Sequence, residues 1–238
     1  MTLRGNLRVK LFADGADINL MKRLYKEGIV SGFTTNPTLM RKDNVSDYEA
    51  FAKAVLKEIR DLPVSFEVFS DEFDVMEEQA RKIAGWGSNV NVKIPVTNTK
   101  GELSTGLIRK LSSDGISLNV TAILTVEQVK AVSQAISPGS KTIISVFAGR
   151  IADTGRDPVP YMTAAAAILE SNPNAELLWA SSRELLNIFQ ADSCGCQIIT
   201  VTNDILKKLA MVGKDLKELS LDTVKMFYND ALSAGYNI

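Results

Sequence analysis

The sequence predicts an α/β fold, a single (β/α)8 TIM barrel spanning residues 1–238 with an additional C-terminal helix. Three observations carry that expectation. A chain of 238 residues is long for one sandwich and short for two full domains, while one α/β barrel takes about 200–250 residues. Apolar runs of four to seven residues recur eight times with amphipathic segments between them, the alternation expected of βαβ units and a parallel sheet. No low-complexity stretch or Gly/Ser linker divides the chain. Eight strands in a closed ring leave no edge exposed, which favours a barrel over an open sheet.

The elements follow in order. Strands are expected near 9–13, 32–35, 64–69, 90–96, 117–121, 142–147, 175–180 and 197–202. Helices are expected over 17–27, 47–60, 74–85, 105–113, 126–136, 160–171, 183–191 and 203–210. Thr125 stands before Val126-Glu127-Gln128 as a helix cap, and Pro158 and Pro160 precede an alanine run, both being residues that favour helix starts. Lys26-Glu27-Gly28 and Ser113-Asp114-Gly115 supply glycine where helices end. After the eighth unit, residues 221–234 form one more amphipathic segment, with Val224, Phe227, Ala231 and Leu232 as its apolar positions. It either covers a barrel end or docks on a neighbouring subunit.

Composition narrows the function. Apolar residues make up 45% and charged residues 23%, an ordinary globular balance. No apolar stretch approaches the ~18 residues of a membrane span. Residues 1–6 lack an apolar signal core, so the expected location is cytoplasmic. Net charge is −1 without a run of either sign, which argues against nucleic-acid and membrane partners and for small molecules. The chain has no histidine. That removes Ser-His-Asp and Cys-His catalysis and every His-ligated metal site. Cys194 and Cys196, one residue apart, read as two small apolar residues entering a strand. Neither a metal nor a cofactor is expected.

Lys93, in Asn91-Val92-Lys93-Ile94-Pro95-Val96, stands out because its run reads as a buried strand. Lysine is rarely buried without a partner. At its reference pKa near 10.4, only about 0.04% of lysine is neutral at pH 7; a value about three pH units lower leaves about a third as amine nucleophile. The alternative is a lysine that snorkels out to a carboxylate.

In such a barrel, chemistry is built where strands run into their following loops. Polar residues fall on those ends in seven of the eight strands. They are Asp14; Thr34, Thr35 and Asn36 before Pro37; Glu67; Lys93; Asn119 and Thr121; Ser145 with Arg150; and Ser181 with Arg183. Asp14 and Asn36 also suit turns or caps, and Arg150 and Arg183 suit solvated surface. Glu67 is harder to treat as structure, since an unpaired carboxylate inside an apolar strand costs several kcal/mol. A lysine beside Asp14 and Glu67 lowers that cost and joins a nucleophile to acid–base partners.

Five ordered motifs resemble the transaldolase family: Phe33-Thr34-Thr35-Asn36-Pro37, Val92-Lys93-Ile94-Pro95, Leu118-Asn119-Val120-Thr121-Ala122-Ile123, Ser145-Val146-Phe147-Ala148-Gly149-Arg150-Ile151-Ala152-Asp153 and Ala180-Ser181-Ser182-Arg183. The resemblance implies a barrel that moves a three-carbon dihydroxyacetone unit between phosphorylated sugars through a lysine Schiff base, without cofactor. By matched position, Lys93 is the Schiff-base lysine, Asp14 the carboxylate that exchanges the sugar-hydroxyl proton, and Glu67 with Thr121 the pair that activates a water. Thr35, Asn36, Asn119 and Ser145 belong to the sugar-binding set, and Arg150, Ser181 and Arg183 to the phosphate pocket. Glu67 and Phe147 match transaldolases, where related fructose 6-phosphate aldolases typically carry glutamine and tyrosine. The chain has the length of the family's short members, which implies a homo-oligomer, a pentamer or decamer. Two other activities fit less well: fructose 6-phosphate aldolase, and a sugar-phosphate-binding barrel without catalysis.

Overall fold

The computed structural model describes residues 7–236. The expectation that residues 1–6 carry no signal core lies outside them. Eight strands, β1 (Lys10–Asp14), β2 (Gly32–Thr34), β3 (Val64–Glu67), β4 (Val90–Pro95), β5 (Leu118–Ile123), β6 (Thr142–Val146), β7 (Ala175–Trp179) and β8 (Ile198–Thr202), pair in chain order as a closed parallel barrel. The ring closes where Lys10 to Asp14 lie in register with Ile198 to Thr202. The predicted (β/α)8 fold is therefore present, with each strand near its expected place.

Successive strand residues face opposite sides of the sheet. In β4, Val90, Val92 and Ile94 are buried on the side facing the helices, while Asn91 and Lys93 line cavities at opposite ends of the barrel interior. Inside, Phe12, Ile143, Leu178, Ala180 and Ile198 form one apolar cluster with Phe147 packed against it. Gly32 makes room for that cluster: a Cβ there would lie 2.5 Å from the Phe12 ring. Between sheet and helices, Ile108, Leu111, Val132, Met162, Leu177, Trp179 and Ile188 are fully buried. Each such side chain contributes about 1.5–3 kcal/mol relative to exposure.

The helices are α1 (Ile18–Lys26), α2 (Pro37–Lys42), α3 (Tyr48–Glu58), α4 (Phe73–Ala84), α5 (Thr105–Ser113), α6 (Val126–Ala135), α7 (Ala148–Ala152), α8 (Val159–Leu169), α9 (Leu186–Ser193), α10 (Asn203–Lys207) and α11 (Leu216–Ala234), with a 3₁₀ turn at Lys208–Met211. The Thr125 cap is present as a full capping box with Gln128. Two short helices, α2 and α7, were not expected from periodicity. α2 starts because Asn36 accepts the Leu39 N–H at 3.0 Å and Pro37 occupies the first turn, where its missing N–H costs nothing. At six and five residues, α2 and α7 are too short to display an amphipathic period.

The chain divides into two compact units, Met1–Leu206 and Lys207–Ile238. The second contains α11, capped by Asp215 at its start and by Gly235 in the left-handed region at its end. It begins earlier than expected, and none of its residues is buried. Cys194 and Cys196 are buried free thiols with sulfurs 3.6 Å apart. Among the described residues, no helix is long and apolar enough to cross a membrane.

Candidate active site

A cavity of about 420 Å³ opens at the C-terminal ends of the strands. It is lined by twelve of the thirteen residues singled out from sequence: Asp14, Thr34, Asn36, Glu67, Lys93, Asn119, Thr121, Ser145, Phe147, Arg150, Ser181 and Arg183. The exception is Thr35. Its hydroxyl donates to the Ser65 carbonyl at 2.9 Å, and it reaches the site through its own carbonyl. A larger cavity of about 1170 Å³ at the opposite barrel end is lined by Lys10, Asn91, Lys141 and Glu176 among others. There Lys10 is paired to Glu176 and both are well exposed, whereas the lysine at the C-terminal mouth, Lys93, is buried.

Lys93 is 6% exposed. Its Nζ donates to the Thr35 carbonyl at 2.7 Å and lies 3.1 Å from Glu67 Oε2. Register explains the pair, because Glu67 and Lys93 are direct partners across β3 and β4 and so project from the same face. The amine thus has a carboxylate able to take its proton and a neutral acceptor that fixes its direction.

Asp14 ends β1. Thr34 Oγ1 donates to it at 2.9 Å, and Asn36 Nδ2 lies 3.3 Å from Oδ2. Burial pushes its carboxyl above the ordinary value, opposed by the charge of Lys93 and by the bonds from Thr34 and Asn36. Thr200 Oγ1 is 2.6 Å from Thr34 Oγ1. A hydroxyl has one proton, and that of Thr34 goes to Asp14, so Thr200 is the donor in the second link. Asn36 serves twice, its oxygen capping α2 and its amide facing Asp14.

Asn119 is fully buried; its amide donates to Ser65 Oγ at 3.0 Å and its oxygen accepts from Ser145 Oγ at 2.6 Å. The chain Ser65, Asn119, Ser145 ties three strands together beside Lys93. Beyond Thr121 the register of β5 and β6 shifts, and Ala122 takes φ 61°. A non-glycine residue held there costs on the order of 1–3 kcal/mol, and such bulges re-aim side chains at functional sites.

The cationic side of the mouth is built by α7. Its Arg150 stands 5.8 Å over the Phe147 ring. Arg183 is bound two-pronged by Asp153, Nε to Oδ1 at 3.1 Å and the terminal nitrogen to Oδ2. Gly149 permits the close approach: a Cβ there would sit 1.6 Å from the Ser181 carbonyl oxygen. Ser181 itself has φ 62°.

Sequence reasoning overlooked Thr200, Thr202 and Ser65. Thr200 and Thr202 alternate with Val201, a period-two signal that places both on the barrel interior. Ser65 stands two residues before Glu67 on the same face.

A family model described as Transaldolase/Fructose-6-phosphate aldolase matches residues 11–238. A protein named "Probable transaldolase 2" from Listeria monocytogenes is 36% identical over 202 residues, covering 84% of this chain and 88% of its own. A "Probable transaldolase" from Streptococcus pyogenes serotype M5 is 34% identical over 223 residues, 93% of this chain and 97% of its own. In fold, the chain resembles the crystal structure of dihydrodipicolinate synthase from Rhodopseudomonas palustris, with a TM-score of 0.59 at 15% identity, covering 95% of this chain and 80% of that one.

Proposed function

The chain belongs to the transaldolase/fructose-6-phosphate aldolase family, and from that premise we propose that it is a transaldolase working through a Schiff base on Lys93. It moves dihydroxyacetone from sedoheptulose 7-phosphate or fructose 6-phosphate to glyceraldehyde 3-phosphate or erythrose 4-phosphate, the exchange of the pentose phosphate pathway. The observation that carries the reading is the buried Lys93 amine, 3.1 Å from Glu67 in the cavity that Asp14 also lines.

In the proposed cycle Glu67 takes the ammonium proton, and the neutral amine forms a bond to the ketose C2 while the carbonyl π electrons move to oxygen. The alkoxide takes the proton that the attached nitrogen sheds, the hydroxyl so formed takes back the proton held by Glu67 and leaves as water, held between Glu67 and Thr121, and an iminium remains. As Asp14 removes the C4 hydroxyl proton, the C3–C4 bond breaks. Its electron pair flows into the iminium to give an enamine, and an aldose phosphate departs. Addition to the acceptor aldehyde and hydrolysis run the same steps backwards. A carboxyl raised by burial makes Asp14 a stronger base toward the C4 hydroxyl than an ordinary carboxylate. Asn36, Asn119 and Ser145 bind sugar hydroxyls, Thr35 orients Lys93 through its carbonyl, and Arg150, Ser181 and Arg183 receive phosphate.

Glu67 and Phe147 carry the choice of transfer over free aldol cleavage. The assay is glyceraldehyde 3-phosphate release from fructose 6-phosphate with and without erythrose 4-phosphate. Strong acceptor dependence with sedoheptulose 7-phosphate as product is the expected result; equal release without acceptor would make the chain an aldolase. Borohydride trapping with fructose 6-phosphate should add mass to Lys93, and a chain that gains none would be a binder only.

The working form is a cytoplasmic homo-oligomer, a pentamer or decamer, in this reading. Exposed Leu221, Val224, Phe227, Tyr228 and Leu232 on α11 support it. Light scattering during gel filtration tests it, and a monomer would refute it.

A further inference from the structure

The backbone of Glu67 is held in an unusual way. Parallel strands exchange evenly spaced N–H···O=C bonds, and between β2 and β3 these run from Phe33 N to Pro63 O and from Thr35 N to Ser65 O. Continued by one step, the ladder would send Glu67 N–H to the Thr35 carbonyl. That carbonyl instead accepts Lys93 Nζ at 2.7 Å. One step further, Glu67 C=O would need the N–H of residue 37, which is proline and has none. Glu67 therefore loses both β2 partners, and one loss is what frees the Thr35 carbonyl for the lysine.

Both vacated places are filled by a single atom. Tyr48 Oη accepts from Glu67 N at 2.7 Å and donates to Glu67 O at 2.9 Å. A phenol is suited to the task because it has one proton to give and lone pairs to receive. Burial holds the Tyr48 phenol well above its ordinary pKa, so the proton stays available. The ring is fixed by aromatic neighbours, with Phe69, Trp86 and Phe66 centroids at 4.6, 5.4 and 6.2 Å. Tyr48 opens α3, outside every motif that carries the family resemblance.

We propose that Tyr48 is a positioning residue for catalysis: its hydroxyl replaces the missing β2 ladder at Glu67, fixes the carboxylate against Lys93, and leaves the Thr35 carbonyl to orient the amine. The inference rests on the Schiff-base reading above. A misplacement of about 1 Å in a proton-transfer pair can cost 10²-fold in rate.

The test is Tyr48→Phe, which keeps the ring and removes both bonds, beside Phe51→Leu. Phe51 packs on Phe66 in the same aromatic group, at 6.5 Å and edge-on, without touching Glu67 through a hydrogen bond. Both are assayed well below the lower melting temperature. Y48F should lower kcat about tenfold or more with donor KM within about twofold, and should displace the acid limb of the pH–rate profile. F51L should lower the melting temperature and leave the profile where it was. A Y48F enzyme with wild-type kcat and pH profile, or one whose losses match those of F51L, overturns the proposal. Borohydride mass on Lys93 of the wild type separates the two ideas: its absence would sink the Schiff base itself, whereas its presence with an unmoved Y48F profile would sink only the role of Tyr48.

Discussion

The two halves of the barrel interior differ more than their separation along the strands suggests. Phe12, Ile143 and Ile198 belong to the apolar cluster, and two residues further along the same strands stand Asp14, Ser145 and Thr200, which line the mouth. One strand repeat, about 7 Å, thus separates hydrocarbon from a hydrogen-bonded polar layer. The lower layer is closed by shape, as the Phe12 ring over Gly32 illustrates. The upper layer is closed by hydrogen bonds that each name a partner. On the proposed function, stability and reactivity are stacked on the same strands, and substitutions in the two layers should separate them.

The sharpest break is expected in the upper layer. Lys93→Ala should reduce turnover by at least about 10⁴-fold while a cooperative unfolding transition remains; near-normal rates in that variant would remove Lys93 from the chemistry. In the lower layer Phe12→Ala should do the opposite. It should cost about 3–5 kcal/mol in chemical denaturation, yet leave kcat/KM per folded molecule within about twofold, counted by borohydride-trappable Lys93. A large loss of kcat/KM in the folded fraction would show that the layers are coupled.

Asp14→Asn gives the smallest effect and probes the boundary itself. Catalysis should fall about 10²-fold, and melting at pH 7 should improve, by about 0.5–2 kcal/mol. The sign follows from the raised carboxyl of Asp14. A group that binds its proton more tightly when folded contributes stability below the unfolded pKa of about 3.9, and that contribution is lost as pH rises through the folded value. Above the unfolded pKa the fold must either keep the proton on or bury the charge, and asparagine removes that burden. The advantage of D14N should shrink as pH falls through the folded pKa; an advantage that grows on acidification would contradict the assignment.

Much of the mouth was legible before the structure. Asp14, Glu67, Lys93, Asn119 and Ser145 each break an apolar strand, and a polar residue in such a run is a signal that needs no neighbours to be seen. Arg150 and Arg183 also stand past strand ends, a place that equally suits solvated surface, and only the motifs mark them for phosphate. That Asp153 holds Arg183 from 30 residues away in the chain has no local signature. Thr200 alternates with Val201, but threonine in a strand is ordinarily packing, so the pattern alone does not mark it. Tyr48 left no trace at all. It opens a helix whose sequence is ordinary, and its role exists only because β2 ends one ladder bond too soon.

The sequence by itself determined the eight-fold βα alternation, the polar strand ends and the lysine that breaks the fourth strand. These follow from periodicity and from the cost of burying charge, both of which are local. Only the tertiary structure decided which polar atoms meet. Thr35 contributes a carbonyl and not its hydroxyl, Ala122 takes a left-handed backbone at a register shift, and Tyr48 supplies both hydrogen bonds that β2 withholds from Glu67. Backbone groups carry no sequence label. Which of them is left without a ladder partner is known only once strand lengths and registers are set, and that is a property of the closed barrel.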